Sequence, residues 1–145
     1  MKKLSRIFSC LLSLLLFSLL IGILTGCKQN EELTRILPYS LPEIDRISVF
    51  QNTEMLNEVA QKEVTEAEYI EKIYEQLAIV PVGQDDWQPA PRSTVYLFII
   101  EMKDRTQYDI KYFAGDKGQG RVVSDAGKFD YYTTADIASI WKILK

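Results

Sequence analysis

A chain of 145 residues that contains no histidine excludes catalysis by Ser-His-Asp or Cys-His groups, and it excludes zinc bound through imidazole. Its 20 acidic and 17 basic residues give a net charge of −3, which argues against a nucleic-acid partner, because such a partner needs a cationic surface. Carboxylate chemistry and metal sites built from oxygen ligands remain open.

The chain begins with the pattern of an export signal. Lys2, Lys3 and Arg6 precede an unbroken run of apolar and small residues from Ile7 to Leu24, and the first acid is Glu31. This pattern is typical of a cleaved leader rather than of folded structure. The alternatives are a retained transmembrane helix, since about 18 apolar residues reach the lower limit for crossing a bilayer, an ordinary secretory signal and a buried core helix.

The end of this run, Leu24, Thr25, Gly26 and Cys27, resembles a bacterial lipobox, in which a leucine and two small residues precede a cysteine. The resemblance implies cleavage between Gly26 and Cys27 and a diacylglyceryl thioether on the Cys27 sulfur. Two acyl chains hold a protein stably on a bilayer, whereas one does so only marginally. The predicted location is therefore the outer, extracytoplasmic face of the cell membrane, with residues 1–26 as the signal peptide.

The predicted mature chain is acidic and has no disulfide. Three basic residues leave with the leader, so 14 basic residues face 20 acidic ones and the net charge becomes −6. This charge argues against binding to anionic headgroups, so the lipid must provide the attachment. Cys10 also leaves with the leader, and a lipidated Cys27 has no partner, so a hydrophobic core must stabilise the domain.

Residues 27–43 are predicted to be a tether, and residues 44–145 a single domain. The tether is polar at first and contains Pro38 and Pro42, which stiffen a spacer. In the domain, "IDRISVFQN" alternates as a strand, and "NEVAQKEVT" fits either its hairpin partner or a helix.

A helix and a long loop follow. Thr65 and Glu68 have the spacing of a capping box, and Glu68 and Lys72 have that of an i, i+4 ion pair. The apolar stripe of the predicted helix consists of Ile70, Ile73, Tyr74 and Leu77. "PVGQDDWQPAPRS", from Pro81 to Ser93, is predicted to be a loop, and long loops often carry function.

Four short strands with tight turns between them predict an antiparallel meander: "TVYLFIIEM", "TQYDIKYF", "RVVSD" and "FDYYT". A second helix, capped by Thr133 or Thr134, is predicted to close the chain with an apolar stripe of Ile137, Ile140, Trp141 and Leu144. The predicted fold class is α+β: an antiparallel sheet of about five to six strands with two packed helices, in the order ββαββββα.

The strand Thr94–Met102 is apolar on both sides, and this raises two hypotheses. One is a central strand that is covered on both faces. The other is an aromatic face open to a partner, because large exposed apolar patches mark interaction sites. Tyrosine rings suit contact with a peptide or a sugar, although they are also ordinary strand residues. The candidate binding face consists of Tyr96, Phe98, Tyr108 and Tyr112.

The sequence predicts no catalytic residue, no metal site and no cofactor. Asp85 and Asp86 are adjacent, but a calcium site needs about 6 to 8 ordered oxygen ligands, so solvated loop charges are the favoured interpretation. The segment "AGDKGQG" lacks the order of a phosphate-binding loop and lies between strands.

The layout as a whole resembles small lipoproteins of Gram-positive, Firmicutes-type bacteria that carry an uncharacterised domain. The resemblance rests on the lipobox, the "I-x-V" strand, "EAEYIEKIYEQL" and "GKFDYYTTADIASIWKIL", and it covers about Ile44 to Leu144. It implies a single-membrane host and transfers no functional residue.

The leading functional hypothesis is a non-enzymatic binding or accessory module for a protein, a peptide or an envelope component, held on the membrane by lipid. A carboxylate-dependent envelope enzyme and a structural or regulatory subunit of a membrane complex are the alternatives.

Overall fold

The computed structural model describes residues 32–53, 58–83, 87–90, 93–124 and 129–144. Its elements are eight strands, two helices and two short 3-10 turns. The strands are β1 (Glu32–Arg35), β2 (Ile44–Thr53), β3 (Glu58–Val64), β4 (Ile79–Gly83), β5 (Thr94–Met102), β6 (Gln107–Ala114), β7 (Gly120–Ser124) and β8 (Phe129–Thr133). The helices are α1 (Ala67–Leu77) and α2 (Ser139–Ile143), and the 3-10 turns are Leu41–Glu43 and Asp116–Gly118.

All eight strands form one antiparallel sheet in the order β1-β4-β8-β7-β6-β5-β2-β3. The β2–β3 hairpin and the β5–β8 meander confirm the strand pairs that the sequence predicts. The meander forms because its short connections allow only antiparallel neighbours.

The core lies on one side of this sheet, which we call the inner face. Alternate residues of β5 and β6 are buried there and pair directly, as Phe98 does with Ile110. Helix α1 buries Ile70, Ile73 and Leu77 in the same cluster, which confirms the predicted helix and its stripe. The other side of the sheet is called the outer face below.

The start of α1 differs from the prediction, whereas its ion pair does not. The N-cap is Glu66 rather than Thr65, and no side chain caps the first turn. The predicted capping box is therefore wrong. Lys72 Nζ lies 2.6 Å from Glu68 Oε1, which confirms the i, i+4 pair.

The predicted fold class of five to six strands with two packed helices is wrong. The described chain has eight strands, and only α1 is a helix of substantial length, since α2 has five residues. Thr133, a predicted cap of the second helix, is instead the last residue of β8. Residues 81–83, the start of the predicted loop, instead end β4, and the missing N–H of Pro81 is tolerated since β4 pairs with β8 only at Val82 and Gly83.

The predicted tether extends too far along the chain. Glu32–Arg35 already forms an edge strand of the sheet, and Ile36 and Leu37 are 2% and 1% exposed. The N–H of Ile36 donates to the carbonyl of Ala78 at 3.0 Å. The compact unit therefore begins at Glu31 rather than at Ile44.

Candidate binding surface

The four side chains of the predicted binding face lie on the inner face of the sheet, inside the core. Tyr96, Phe98, Tyr108 and Tyr112 are 7%, 0%, 4% and 0% exposed. The rings of Tyr96 and Tyr112 pack with centroids 6.4 Å apart. An open aromatic face formed by these residues is therefore wrong, and they stabilise the fold.

The hydroxyl groups of two of these tyrosines have partners inside the protein. Tyr108 donates to the carbonyl of Ile36 at 3.0 Å, which ties β6 to the segment after β1. Tyr112 approaches the carbonyls of Gly118 and Ala135 at 3.3 Å each. Burial raises the pKa of both hydroxyls above the ordinary value of 10.0, because the charged phenolate loses its hydration.

The outer face of the same strands is apolar and partly exposed. Leu97 lies between Phe50 of β2 and Lys111 of β6, and Lys111 pairs in turn with Val123 of β7. We define the outer patch as six side chains on this face that are partly exposed and lie outside the core cluster: Phe50, Val95, Leu97, Ile99, Phe113 and Val123. Both helices contribute their buried side chains to the core instead.

Charged pairs lie at two borders of the outer patch, and Asp109 and Lys111 lie on the same face within it. At one end Arg46 Nη2 lies 2.8 Å from Glu101 Oε2, and Arg46 Nη1 lies 3.9 Å from Glu63 Oε1. At the other side, the guanidinium of Arg121 makes a two-point contact with the Asp130 carboxylate, at 2.5 and 2.9 Å. The hydrogen bond to Glu101 raises the pKa of Arg46, so this cation keeps its charge. The rim is therefore polar, with its charges already paired.

Trp87 borders this face, and no pattern in the sequence indicates its role. Its ring lies 6.4 Å from that of Tyr132, and its carbonyl accepts a hydrogen bond from Arg121 Nη1 at 3.1 Å. A Cβ atom added at Gly115 would lie 2.6 Å from the indole, so only glycine leaves room for this ring. Trp87 thus packs against the β7–β8 side of the sheet.

A separate, concave surface lies where the 3-10 turn Leu41–Glu43 meets the β5–β6 turn. Its cavity has a volume of about 240 Å³. The lining combines apolar and charged side chains: Tyr39, Pro42, Glu43, Met102, Lys103, Asp104 and Thr106.

The two carboxylates of this cavity are fixed by local hydrogen bonds. Glu43 Oε2 accepts from the N–H and the hydroxyl of Ser40, both at 2.7 Å, and Asp104 Oδ1 accepts from the hydroxyl and the N–H of Thr106 at 2.7 and 2.9 Å. These hydrogen bonds lower the pKa of both carboxyl groups. Both acids are therefore ionised at neutral pH, whereas a general acid needs a raised pKa.

The predicted lipidation residues Leu24, Thr25, Gly26 and Cys27 lie outside the described residues. Across the described ranges, no three metal-ligating side chains are grouped as an ion would need. In that same part of the chain, neither helix is long and apolar enough to cross a membrane.

Comparison with known proteins gives no relative on which to base a function. No family model, no curated protein and no solved structure matches the chain. The functional argument therefore rests on the sequence and on the surfaces described above.

Proposed function

We propose that this protein is a lipid-anchored extracytoplasmic lipoprotein whose domain is a non-enzymatic module that binds a protein through the outer patch. The lipobox-like sequence ending at Cys27 supports the anchor. The apolar, partly exposed outer face of β2, β5, β6 and β7 supports the binding role, and it is the observation that carries the proposal.

The anatomy of this surface favours a folded protein as the partner. Protein interfaces have an apolar, aromatic-rich centre and a polar rim. The outer patch contains Phe50 and Phe113 and has charged pairs at two of its borders, with Lys111 lying among its apolar side chains. The charges of that rim pair with one another, as Arg46 does with Glu101, so the surface offers no excess of cations to a polyanion. A sheet also presents a broad and gently twisted surface, which suits a protein better than a small molecule.

The anchor is tested by metabolic labelling with a clickable fatty acid. The wild-type protein should take up the label and the Cys27→Ser variant should not, because the thioether needs the Cys27 sulfur. Label on the serine variant, or a wild-type mass that still includes residues 1–26, would contradict the anchor.

The binding role is tested by a photocrosslinking residue placed at Leu97 in the native envelope. A matched position is Gln76, which is exposed on α1. We expect one discrete crosslinked partner from position 97 and none from position 76. An excess of purified wild-type domain should abolish the crosslink from position 97 by competing for the partner. A purified domain with Leu97→Ser should fail to compete.

A folding control accompanies this test. Because Leu97 lies outside the core cluster, Leu97→Ser should lower the free energy of unfolding by no more than about 1 kcal/mol, whereas Phe98→Ala should lower it by about 3 to 5 kcal/mol. Urea unfolding measures both values. Equal competition by the wild-type and Leu97→Ser domains would refute the outer patch as a binding surface.

A further inference from the structure

The short connection between the predicted anchor and the sheet restricts how the domain can sit on a membrane. Five residue steps separate Cys27 from Glu32, the first residue of β1. A fully extended chain covers about 3.6 Å per residue, so the two Cα atoms are at most about 18 Å apart. Residues 32–43 of the expected spacer belong to the folded unit, because the sheet already begins at β1. The β1 edge of the sheet must therefore stay close to the bilayer.

An apolar surface lies at this edge. β1 and β4 form a two-stranded ribbon in which Leu33 pairs with Pro81 and Arg35 pairs with Ile79. These four side chains share one side of the ribbon, opposite to the buried Val80. Leu33 is 73% exposed and Ile79 is 48% exposed, and they are two of the four large hydrophobic side chains that are exposed in the described part of the chain.

We propose that this side of the β1–β4 ribbon rests on the bilayer surface beside the lipidated cysteine, with Leu33 and Ile79 in the headgroup region. The proposal rests on the lipid anchor and adds an orientation to it. The exposed Arg35 lies next to Ile79, where its apolar stem covers hydrocarbon while its guanidinium reaches a lipid phosphate. Phosphate groups are present in zwitterionic lipids too, so the acidic domain needs no anionic membrane.

A patch of this size is sufficient because the anchor supplies the affinity. Two side chains would not hold a soluble protein on a membrane, but a tethered surface meets the bilayer at a high effective concentration. The same patch is too small for a stable protein interface, which buries about 1,200 to 2,000 Å² in total. The bilayer is also the only surface that the covalent connection keeps permanently within reach.

The test uses the full chain, expressed in a lipoprotein-processing host, verified by mass as lipidated and reconstituted in phosphatidylcholine vesicles. An environment-sensitive fluorophore is attached to Leu33→Cys, since lipid blocks Cys27 and Cys10 leaves with the leader. The matched control is Val59→Cys, because Val59 is 64% exposed on the outer face of β3, at the opposite edge of the sheet. Seven strand intervals separate the two edges, about 34 Å along the sheet.

We expect the fluorescence emission at position 33 to shift to shorter wavelength when the protein is in vesicles. Lipids that carry a nitroxide in the headgroup region should quench the emission at position 33 severalfold more strongly than the emission at position 59. Adding Ile79→Ser should reduce the quenching at position 33, because Ile79 is the exposed large apolar side chain that the described ribbon keeps once Leu33 is replaced. Circular dichroism checks that each variant is folded.

Three results would overturn the orientation. Equal quenching at positions 33 and 59 would show that the β1 edge is no closer to the bilayer than the opposite edge of the sheet. Quenching at position 33 that Ile79→Ser leaves unchanged would show that the short connection, and not the patch, causes the proximity. In detergent without vesicles, the emission spectrum should not depend on protein concentration. A spectral shift that does depend on it would show that the patch contacts a second copy of the chain. Since every sample is lipidated by mass, none of these results would contradict the anchor itself.

Discussion

Tyr112 shows how a residue that suggests a binding role from the sequence can serve stability instead. Its ring is fully buried, and burial, followed by the nearby charge of Asp136, raises the pKa of its hydroxyl above 10.0. The folded protein therefore keeps the phenol proton at a pH where the unfolded chain has lost it. The stability that this raised pKa contributes is complete below pH 10 and decreases as the pH rises toward the folded-state pKa.

We expect the free energy of unfolding of the wild type to fall above about pH 10, and that of Tyr112→Phe to fall less steeply. One tyrosine accounts for at most about 1.4 kcal/mol per pH unit, so the stability difference between the two proteins should shrink at that rate or less. Urea unfolding at several pH values measures this difference. It should be constant from about pH 7 to about pH 9, and a difference that also stays constant at higher pH would contradict the prediction.

The face of β5 that forms the core follows from its pairing with β6. β5 is apolar at both odd and even positions, so its own alternation does not separate the two faces. In β6, however, Asp109 and Lys111 alternate with tyrosine and isoleucine, and antiparallel pairing places Ile110 opposite Phe98. The charged residues of β6 therefore identify the outer face. This assignment requires the register between β5 and β6, which the sequence alone does not fix.

The segment from β1 to Leu37 is the element that the sequence conceals most completely. β1 has only four residues and one large apolar side chain, because an edge strand that pairs on one side needs little hydrophobic pattern. Pro38 then suggests a spacer. Ile36 and Leu37 are buried against residues far along the chain, and this burial makes the segment part of the domain. Local sequence patterns do not reveal such long-range contacts.

A matched pair of leucines tests the role of this segment. Leu37→Ala should lower the free energy of unfolding by about 2 to 5 kcal/mol, because Leu37 is 1% exposed and its loss leaves a cavity. Leu33→Ala should change it by no more than about 0.5 kcal/mol, because Leu33 is 73% exposed. Urea unfolding of the two variants gives both values. Two equally small effects would mean that the segment is a tether after all.

The C-terminal region shows that a burial pattern can be correct when the secondary structure is not. Ile137, Ile140 and Leu144 are buried, as the predicted stripe requires, but only residues 139–143 form a helix. Lys62 of β3 donates to the carbonyls of Trp141 and Leu144 at 3.2 and 2.6 Å, and its ammonium lies 4.6 Å from the Trp141 ring centroid. This long-range cation supplies partners for the carbonyls at the end of the helix, and nothing local in the sequence indicates it.

At the scale of the whole molecule, the sheet has one weakly paired junction. β4 and β8 pair at only two positions, Val82 with Thr133 and Gly83 with Tyr132, whereas β5 and β6 pair at seven. The hydroxyl of Thr133 strengthens this junction by donating to the carbonyl of Pro81 at 2.6 Å. The β1–β4 ribbon should therefore open separately from the six-stranded remainder, since proteins open in cooperative units of different stability.

Hydrogen exchange should resolve these two units. We expect amides of β1 and β4 to exchange with a lower free energy of opening than amides of β5 and β6. The Thr133→Val change should lower the free energy of opening of the β1–β4 ribbon by a further 0.5 to 1.5 kcal/mol, roughly the contribution of one hydrogen bond. Thr134→Val is the matched control, because Thr134 is the exposed neighbour. Exchange measured by mass spectrometry on peptides from each strand distinguishes the outcomes. Uniform protection across the sheet, or equal effects of the two valine variants, would mean that all eight strands open as one unit, because the β4–β8 junction would then be no weaker than the pairing within the meander.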